Sequence, residues 1–247
     1  MRYAIVAGGE GSRLREEGIQ VPKPLVRVAG ETLLARLVRV FAAVGAESIA
    51  VLVRTEANDV AAEAERAAAD HHVPLTLVRA TTPSSMHSLY ALAPYLADGP
   101  FCLTTTDTIF SAAAFARYAA AWHNAAREQD SDGLMGVTAY VDDEKPLYVA
   151  TDKELQITAF NDTAHPDVDY VSAGVYGLVP AALDTLRRCV ERGESHLRNF
   201  QRALLTDGLR LGAYDLGAVI DIDHATDIAK AQRLIVEADQ FTPDTLR

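Results

Sequence analysis

Apolar positions alternate between two rhythms along the first half of the chain. Residues 3–7 are an unbroken apolar run, the mark of a buried strand, and residues 26–28 read as a short extended piece ending at Gly30. Over residues 31–44 the apolar side chains Leu33, Leu34, Leu37, Val38, Phe41 and Val44 form a helical stripe, stopped by Gly45. Residues 48–53 are again a continuous apolar strand. An alanine- and glutamate-rich helix follows at 58–70, predicted to lie on the surface, and a further strand at 74–78. A helix is predicted over 84–96, a strand over 101–106, and a helix over 111–127 with Phe115, Ala119 and Trp122 on one face. Strands alternating with helices in this way predict a parallel sheet covered by helices on both faces.

After Gly133 the rhythm changes. Residues 134–141, 147–150, 155–160 and 170–179 are strand-like and separated by turns. Helices are predicted at 181–192 and 197–205 and strands near 210–214 and 219–222. A last amphipathic helix at 226–238 turns Ile228, Ala231, Leu234, Ile235 and Ala238 inward. No repeat, linker or low-complexity run interrupts this pattern. It predicts one α/β domain over residues 1–247, with a small β-rich insertion in its second half.

Charge and cysteine usage narrow the function. The net charge of −11 argues against a general nucleic-acid surface and against attraction to an anionic membrane. Phosphates remain possible ligands only where the few cations converge locally. Cys102 and Cys189 are the two cysteines, far apart in sequence, so neither a disulfide framework nor a zinc-ligand spacing is present. The N-terminus has neither a cleavage pattern nor a long apolar span, and a cytoplasmic location is expected.

One stretch does gather cations with a flexible backbone. Ala7-Gly8-Gly9-Glu10-Gly11-Ser12-Arg13-Leu14 follows the first strand, and Pro22-Lys23-Pro24-Leu25 comes shortly after. Glycines at three of four positions let the chain turn sharply and bring backbone N–H groups close to an anion. Arg13 adds a planar fork for phosphate oxygens and Lys23 a compact point charge, on a segment stiffened by Pro22 and Pro24. A dinucleotide fingerprint fits poorly, because Leu14 stands where its third glycine belongs, and no Gly-Lys-Ser/Thr run makes a P-loop.

Gly-Gly-x-Gly-x-Arg-Leu followed by Pro-Lys-Pro resembles the signature of the sugar-phosphate nucleotidyltransferases, which join a nucleoside triphosphate to a sugar phosphate. The resemblance implies a Rossmann-like three-layer α/β/α fold with a mixed, mostly parallel sheet and a small β-rich substrate-facing insertion. It implies a nucleotide-binding half over residues 1–130 and an acceptor-binding half over 131–247. Ala7, Gly8, Gly9, Gly11 and Ser12 then line the nucleotide, Arg13 and Lys23 act in catalysis, and Lys23 also meets the acceptor.

Further candidates follow from the same resemblance. Thr104-Thr105-Thr106-Asp107-Thr108 ends a buried strand, where the family places an Asp that holds Mg²⁺; Ser111 is available to cap the next helix. Val219-Ile220-Asp221-Ile222-Asp223-His224 supplies the second carboxylate. Asp221 matches the metal ligand best, and Asp223 is an alternative ligand, a partner behind it, or the cap of the final helix. Two hard carboxylates with phosphate oxygens suit Mg²⁺; His224 is assigned a structural role.

Ser85, His87 and Ser88 lie where the family reads the base, although the local sequence departs from the family's form. That departure favours the branch handling small phosphorylated alcohols such as phosphocholine. A helix capped by Ser84, with His87 on the surface, explains the segment as well. Ser172 and Gly174, in Tyr170-Val171-Ser172-Ala173-Gly174-Val175-Tyr176, match the family's acceptor-facing strand. Its Glu-Lys-Pro grip belongs after the strand at 155–160, where Asn161-Asp162 stands, so Glu144-Lys145-Pro146 is a coincidence or a displaced substitute. Rival readings are a nucleotide-sugar-dependent glycosyltransferase, given Asp221-Ile222-Asp223, and a non-catalytic nucleotide-sensing module.

Overall fold

The computed structural model describes residues 1–9, 11–140, 145–164 and 168–240, the last three as backbone only. Four positions singled out above, Glu10, Val141, Glu144 and the side chain of Ala238, therefore lie outside the described residues. The first half runs β1 (Arg2–Ala7), α1 (Ser12–Glu16), β2 (Arg27–Val28), β3 (Glu31–Thr32), α2 (Leu33–Ala43), β4 (Ser48–Val53), α3 (Asn58–Asp70), β5 (Leu75–Arg79), α4 (Ser85–Leu92), β6 (Phe101–Thr105), β7 (Thr108–Phe110) and α5 (Ala112–Glu128). The second runs β8 (Gly133–Thr138), β9 (Tyr148–Thr151), β10 (Ile157–Asn161), β11 (Tyr170–Leu178), α6 (Ala182–Glu191), α7 (Leu197–Thr206), β12 (Leu211–Asp215), β13 (Val219–Asp221) and α8 (Ala225–Gln240).

The main sheet has the order β12-β8-β11-β6-β1-β4-β5, with β9 and β10 added along the N-terminal part of β11. Seven of its nine strands run one way; β11 and β10 run against them. The sheet is thus mixed and mostly parallel, as the family resemblance implies. Side-chain parity splits the core. Tyr3, Ile5 and Ala7 of β1 face a cluster with α2, α3 and α5, whereas Ala4 and Val6 face a second cluster with α4, α6 and α7. Because successive strand residues point to opposite faces, continuous apolar runs are what a doubly covered sheet requires. A third cluster, with Leu14, Ile109, Ile220, Ile222 and Ala231, seats α8 against β7, β13 and α1.

Several boundaries differ from expectation for local reasons. Residues 31–32 pair with β2 as a hairpin across Ala29 and Gly30, both at positive φ, and Thr32 caps α2 by accepting from the Ala35 N–H at 3.1 Å. Helix α4 stops at Leu92 and continues as one 3₁₀ turn over Ala93–Tyr95, since Pro94 has no N–H to donate. Helix α3 is not merely a surface helix: Val60, Ala61, Ala64, Ala67 and Ala68 are buried at helical spacing. Alanine carries little apolar signal but allows close approach. Strand β7 was not anticipated; three residues are too few to show a period, and they are fixed by antiparallel pairing with β13. Among the described residues, no helix is long and apolar enough to cross a membrane.

Candidate active site

The carboxyl ends of β1, β4 and β6 open on one rim of the sheet, where ligands enter open α/β sheets. From β1 the chain turns through Gly8 and Gly9 into α1. Gly11 is left-handed at φ +61°, and a Cβ there would lie 3.0 Å from Cβ of Lys23. The glycine is what lets the two halves of the motif touch. Lys23 sits in a 3₁₀ turn, Lys23–Leu25, and is buried at 8% exposure.

Its ammonium donates to Asp107 Oδ2 and Asp223 Oδ1, both at 2.7 Å, and Arg13 Nη1 donates to Asp223 Oδ2 at 3.0 Å. Residues 13, 23, 107 and 223 thus form one connected ionic network. Burial alone would lower the Lys23 pKa, but the charges of Asp107 and Asp223 outweigh it and hold the ammonium above the usual lysine range. For Asp107 burial would raise the pKa. The Lys23 charge and hydrogen bond, with one from Thr105, overcome it and keep the carboxylate below the usual range. Both groups are charged at neutral pH.

The second carboxylate arrives through the β7–β13 pair. Asp221 lies opposite Thr108, and the Ile222 N–H donates to the Asp107 carbonyl at 3.0 Å. Asp221 and Asp223 take different sides: Asp223 enters the network with Lys23, and Asp221 lines a neighbouring pocket. Asp223 does not cap α8. That role falls to Asp227, which accepts from the N–H groups of Asp223 (3.2 Å) and His224 (2.8 Å), and to Glu17, which accepts from Ala225 N–H at 2.6 Å. His224 Nδ1 meets Glu17 Oε1 at 2.5 Å, tying α1 to α8.

Two pockets meet at Asp107. The larger, about 690 Å³, is walled by Gly8, Gly9, Gly11, Ser12, Arg13 and Lys23. Ser85, Ser88, Asp107 and Asp223 also line it. Two expected nucleotide residues are not on it. Ala7 faces the α2 side of the core while Val6 reaches the cleft, a consequence of strand parity. His87 Nδ1 instead meets Ser84 Oγ at 2.9 Å, and Ser84 caps α4. The smaller pocket, about 240 Å³, brings Ser172, Gly174, Asp107 and Asp221 together with Lys145 and Arg198. Gly174 has φ +68°, and a Cβ there would fall 2.6 Å from Thr108 Oγ1. Here β11 shifts register and bends from the main sheet toward β9.

Sequence reasoning missed Arg54, which lines the larger pocket at the end of β4, and His196, Arg198 and Gln201 in the smaller one. The position of Arg54 at a strand's carboxyl end was a usable signal. Arg198 gave none, being one arginine on an amphipathic helix. Lys145, from the tripeptide read as a coincidence or a displaced substitute, lines the smaller pocket. Asp162, where the family's grip was expected, pairs instead with Arg198 and Arg202 at 2.8 and 2.7 Å.

As a metal site the donors fit Mg²⁺. The candidate atoms are carboxylates of Asp107, Asp221 and Asp223 and hydroxyls of Thr105 and Thr108, all hard oxygens. Among the described residues no three His, Cys, Asp or Glu side chains converge. A cation here would rest on two carboxylates and take its remaining oxygens from phosphate and water, the usual Mg²⁺ pattern.

A glycine loop at the rim, with charged side chains divided between two adjoining pockets, suits transfer of a phosphorylated group, and the class of protein is a nucleotidyltransferase. Residues 3–204 match the family model of the MobA-like NTP transferase domain, and the chain belongs to that family. A search of curated protein sequences found no match. Among solved structures, the inositol-1-phosphate CTP transferase from T. maritima is 21% identical, with a TM-score of 0.80 over 98% of this chain and 97% of the other. A putative glucose-1-phosphate thymidylyltransferase from Bacillus anthracis is 20% identical, with a TM-score of 0.81 over 95% and 94%. The nucleoside-diphosphate-sugar pyrophosphorylase from Vibrio cholerae RC9 is 20% identical, with a TM-score of 0.71 over 94% and 100%.

Proposed function

We propose that the protein joins a nucleoside triphosphate to a sugar 1-phosphate or similar small phosphate monoester, releasing pyrophosphate, in the cytoplasm and with Mg²⁺. The observation that carries this reading is that Asp107 belongs to both pockets at once, with Lys23 bonded to it. The larger pocket takes the triphosphate and the smaller one the acceptor. A volume near 240 Å³ suits a compact acceptor. The names of the inositol-1-phosphate and glucose-1-phosphate neighbours support a ring-sized polyol phosphate.

An acceptor phosphate oxygen attacks the α-phosphorus, the bond from it to the oxygen bridging toward the β-phosphate breaks, and pyrophosphate leaves with the electron pair. Two unit charges about 4 Å apart repel by roughly 1 kcal/mol in water and roughly 4 kcal/mol at an effective dielectric near 20. The protein's work is therefore to position and neutralise, without a general base, since the nucleophile is already ionised. Backbone at Gly8, Gly9 and Gly11, with Ser12, approaches the phosphates. Arg13 holds the departing pyrophosphate, and Lys23 lies at the α-phosphate and acceptor. Ser85 and Ser88 lie on the base side, and Ser172 and Gly174 border the acceptor. Asp107 with Asp221, or Asp223 in its place, would hold Mg²⁺, which neutralises phosphate charge when bound.

The test is a matrix of ATP, CTP, GTP and UTP against sugar 1-phosphates, inositol 1-phosphate and phosphocholine, read as pyrophosphate with and without Mg²⁺. Metal-dependent pyrophosphate from one pair supports the reading. Turnover of a nucleotide sugar without pyrophosphate would make the protein a glycosyltransferase. Nucleotide binding with no turnover on any acceptor would make it a sensing module.

A further inference from the structure

We propose that Arg198 is the residue with which this chain recognises its acceptor, and that it limits acceptors to phosphates of neutral polyols, excluding cationic head groups such as phosphocholine; the inference rests on the nucleotidyl-transfer reading above. Arg198 stands in the first turn of α7 and borders the smaller pocket with Lys145, Ser172 and Gln201. Its guanidinium is held on two sides. Nη1 donates to Asp162 Oδ1 at 2.8 Å and Nη2 to the Lys145 carbonyl at 2.9 Å. Asp162 is itself fixed by Arg202, whose Nη2 lies 2.7 Å away and whose Nε donates to the Phe160 carbonyl at 3.1 Å.

A guanidinium carries five N–H donors in a rigid fork, so two anchoring bonds orient it and leave donors for a ligand. Asn161-Asp162 occupies the place of the family's Glu-Lys-Pro grip. Its carboxylate is committed to arginines, and polar recognition passes to Arg198. Such a wall offers donors to hydroxyl and phosphate oxygens. It also repels a trimethylammonium group, which proteins hold in aromatic cages. Among the described residues, Tyr176 is the one Phe, Tyr or Trp on this pocket, and it is buried at 7% exposure. Asp107 and Asp221 line the same pocket, and Lys23 pairs with Asp107 at 2.7 Å.

The experiment is steady-state pyrophosphate release by the full chain with Mg²⁺ and its best nucleotide. Wild type is compared on inositol 1-phosphate, glucose 1-phosphate and phosphocholine, and Arg198→Met and Asp162→Asn on the best acceptor and on phosphocholine, with melting temperatures. In wild type, kcat/KM for the best polyol phosphate should exceed that for phosphocholine by roughly 100-fold. Loss of a charged, forked donor should raise the acceptor KM by roughly tenfold or more in Arg198→Met. The nucleotide KM should stay within about twofold, and the preference over phosphocholine should shrink. Asp162→Asn, which loosens the fork, should give a smaller rise in the same KM. If Arg198→Met lowers the melting temperature, Arg198→Lys, with charge but no fork, should still raise acceptor KM. An unchanged acceptor KM in these variants, or a wild-type preference for phosphocholine, overturns the inference while leaving nucleotidyl transfer intact. No turnover with any acceptor overturns both.

Discussion

Replacing Lys23 by methionine keeps the length of the side chain and removes the charge that Asp107 and Asp223 share. Lys23 is nearly buried, with a side-chain exposure of 9% against 27% for Asp107 and 38% for Asp223. Removing one partner of a buried ion pair costs about 3–5 kcal/mol, because the remaining charge is left desolvated. Here the cost is smaller, since Asp223 is more than a third exposed and retains Arg13 at 3.0 Å. The loss is therefore about 2–4 kcal/mol and falls chiefly on Asp107. For a chain of this size each kcal/mol moves the midpoint by about 2–4 °C, which predicts a drop of roughly 5–15 °C. The two uncompensated carboxylates should then take a divalent cation without nucleotide. A ligand at 100 times its dissociation constant restores about 2.7 kcal/mol. Thermal unfolding of wild type and variant, with and without saturating Mg²⁺, reads both effects. A variant melting within about 1 °C of wild type, with the same Mg²⁺ response, would refute the reasoning that Lys23 is the counter-ion of this site.

Asp107→Asn should lower turnover by at least ~10²-fold, the scale of losing one preorganised electrostatic group, as single-turnover kinetics on the folded variant would measure. The depressed pKa of Asp107 means that its pairing stabilises the fold above the ordinary aspartate value, about 3.9, and that this contribution is lost as pH falls through the lower folded value. The raised pKa of Lys23 means that its contribution is present below about 10.4 and is lost only as pH rises through the higher folded value. The pair should therefore add no slope to stability between about pH 5 and 9, and Asp107→Asn should flatten the acid limb below about pH 4. Gly174→Ala forces a Cβ to within 2.6 Å of Thr108 Oγ1 at a left-handed residue, with a strain cost of about 1–3 kcal/mol. It should raise the acceptor KM more than the nucleotide KM.

How much of this was legible in the sequence depends on how local each signal is. Residues 48–53 and 58–70 match β4 and α3 because an apolar run or a helical stripe is a property of neighbours in sequence. The glycine loop with Arg13 and Lys23 was legible for the same reason, as a short dense motif. The partner of Lys23 was not. Asp221 and Asp223 are two residues apart, on the same side of a strand by parity, and only where β13 stops and α8 begins decides that Asp223 turns to Lys23. Lys145 and Arg198, 53 residues apart, meet through a side chain and a carbonyl, a contact without any sequence period. The buried face of α3 was hidden because alanine reads as neutral.

The pairing of β7 with β13 has a consequence for how the molecule comes into being. Lys23 and Asp223 are 200 residues apart, and Arg13 and Asp223 are 210 apart. On a ribosome, the glycine hairpin and the central strands emerge long before the segment that supplies their last carboxylate. Over those 200 residues of synthesis the nascent chain carries Lys23 without the Asp223 carboxylate that completes the rim. Only when α8 docks on Leu14 and Ile109 are the β1–α1 and β13–α8 segments fastened across the same opening.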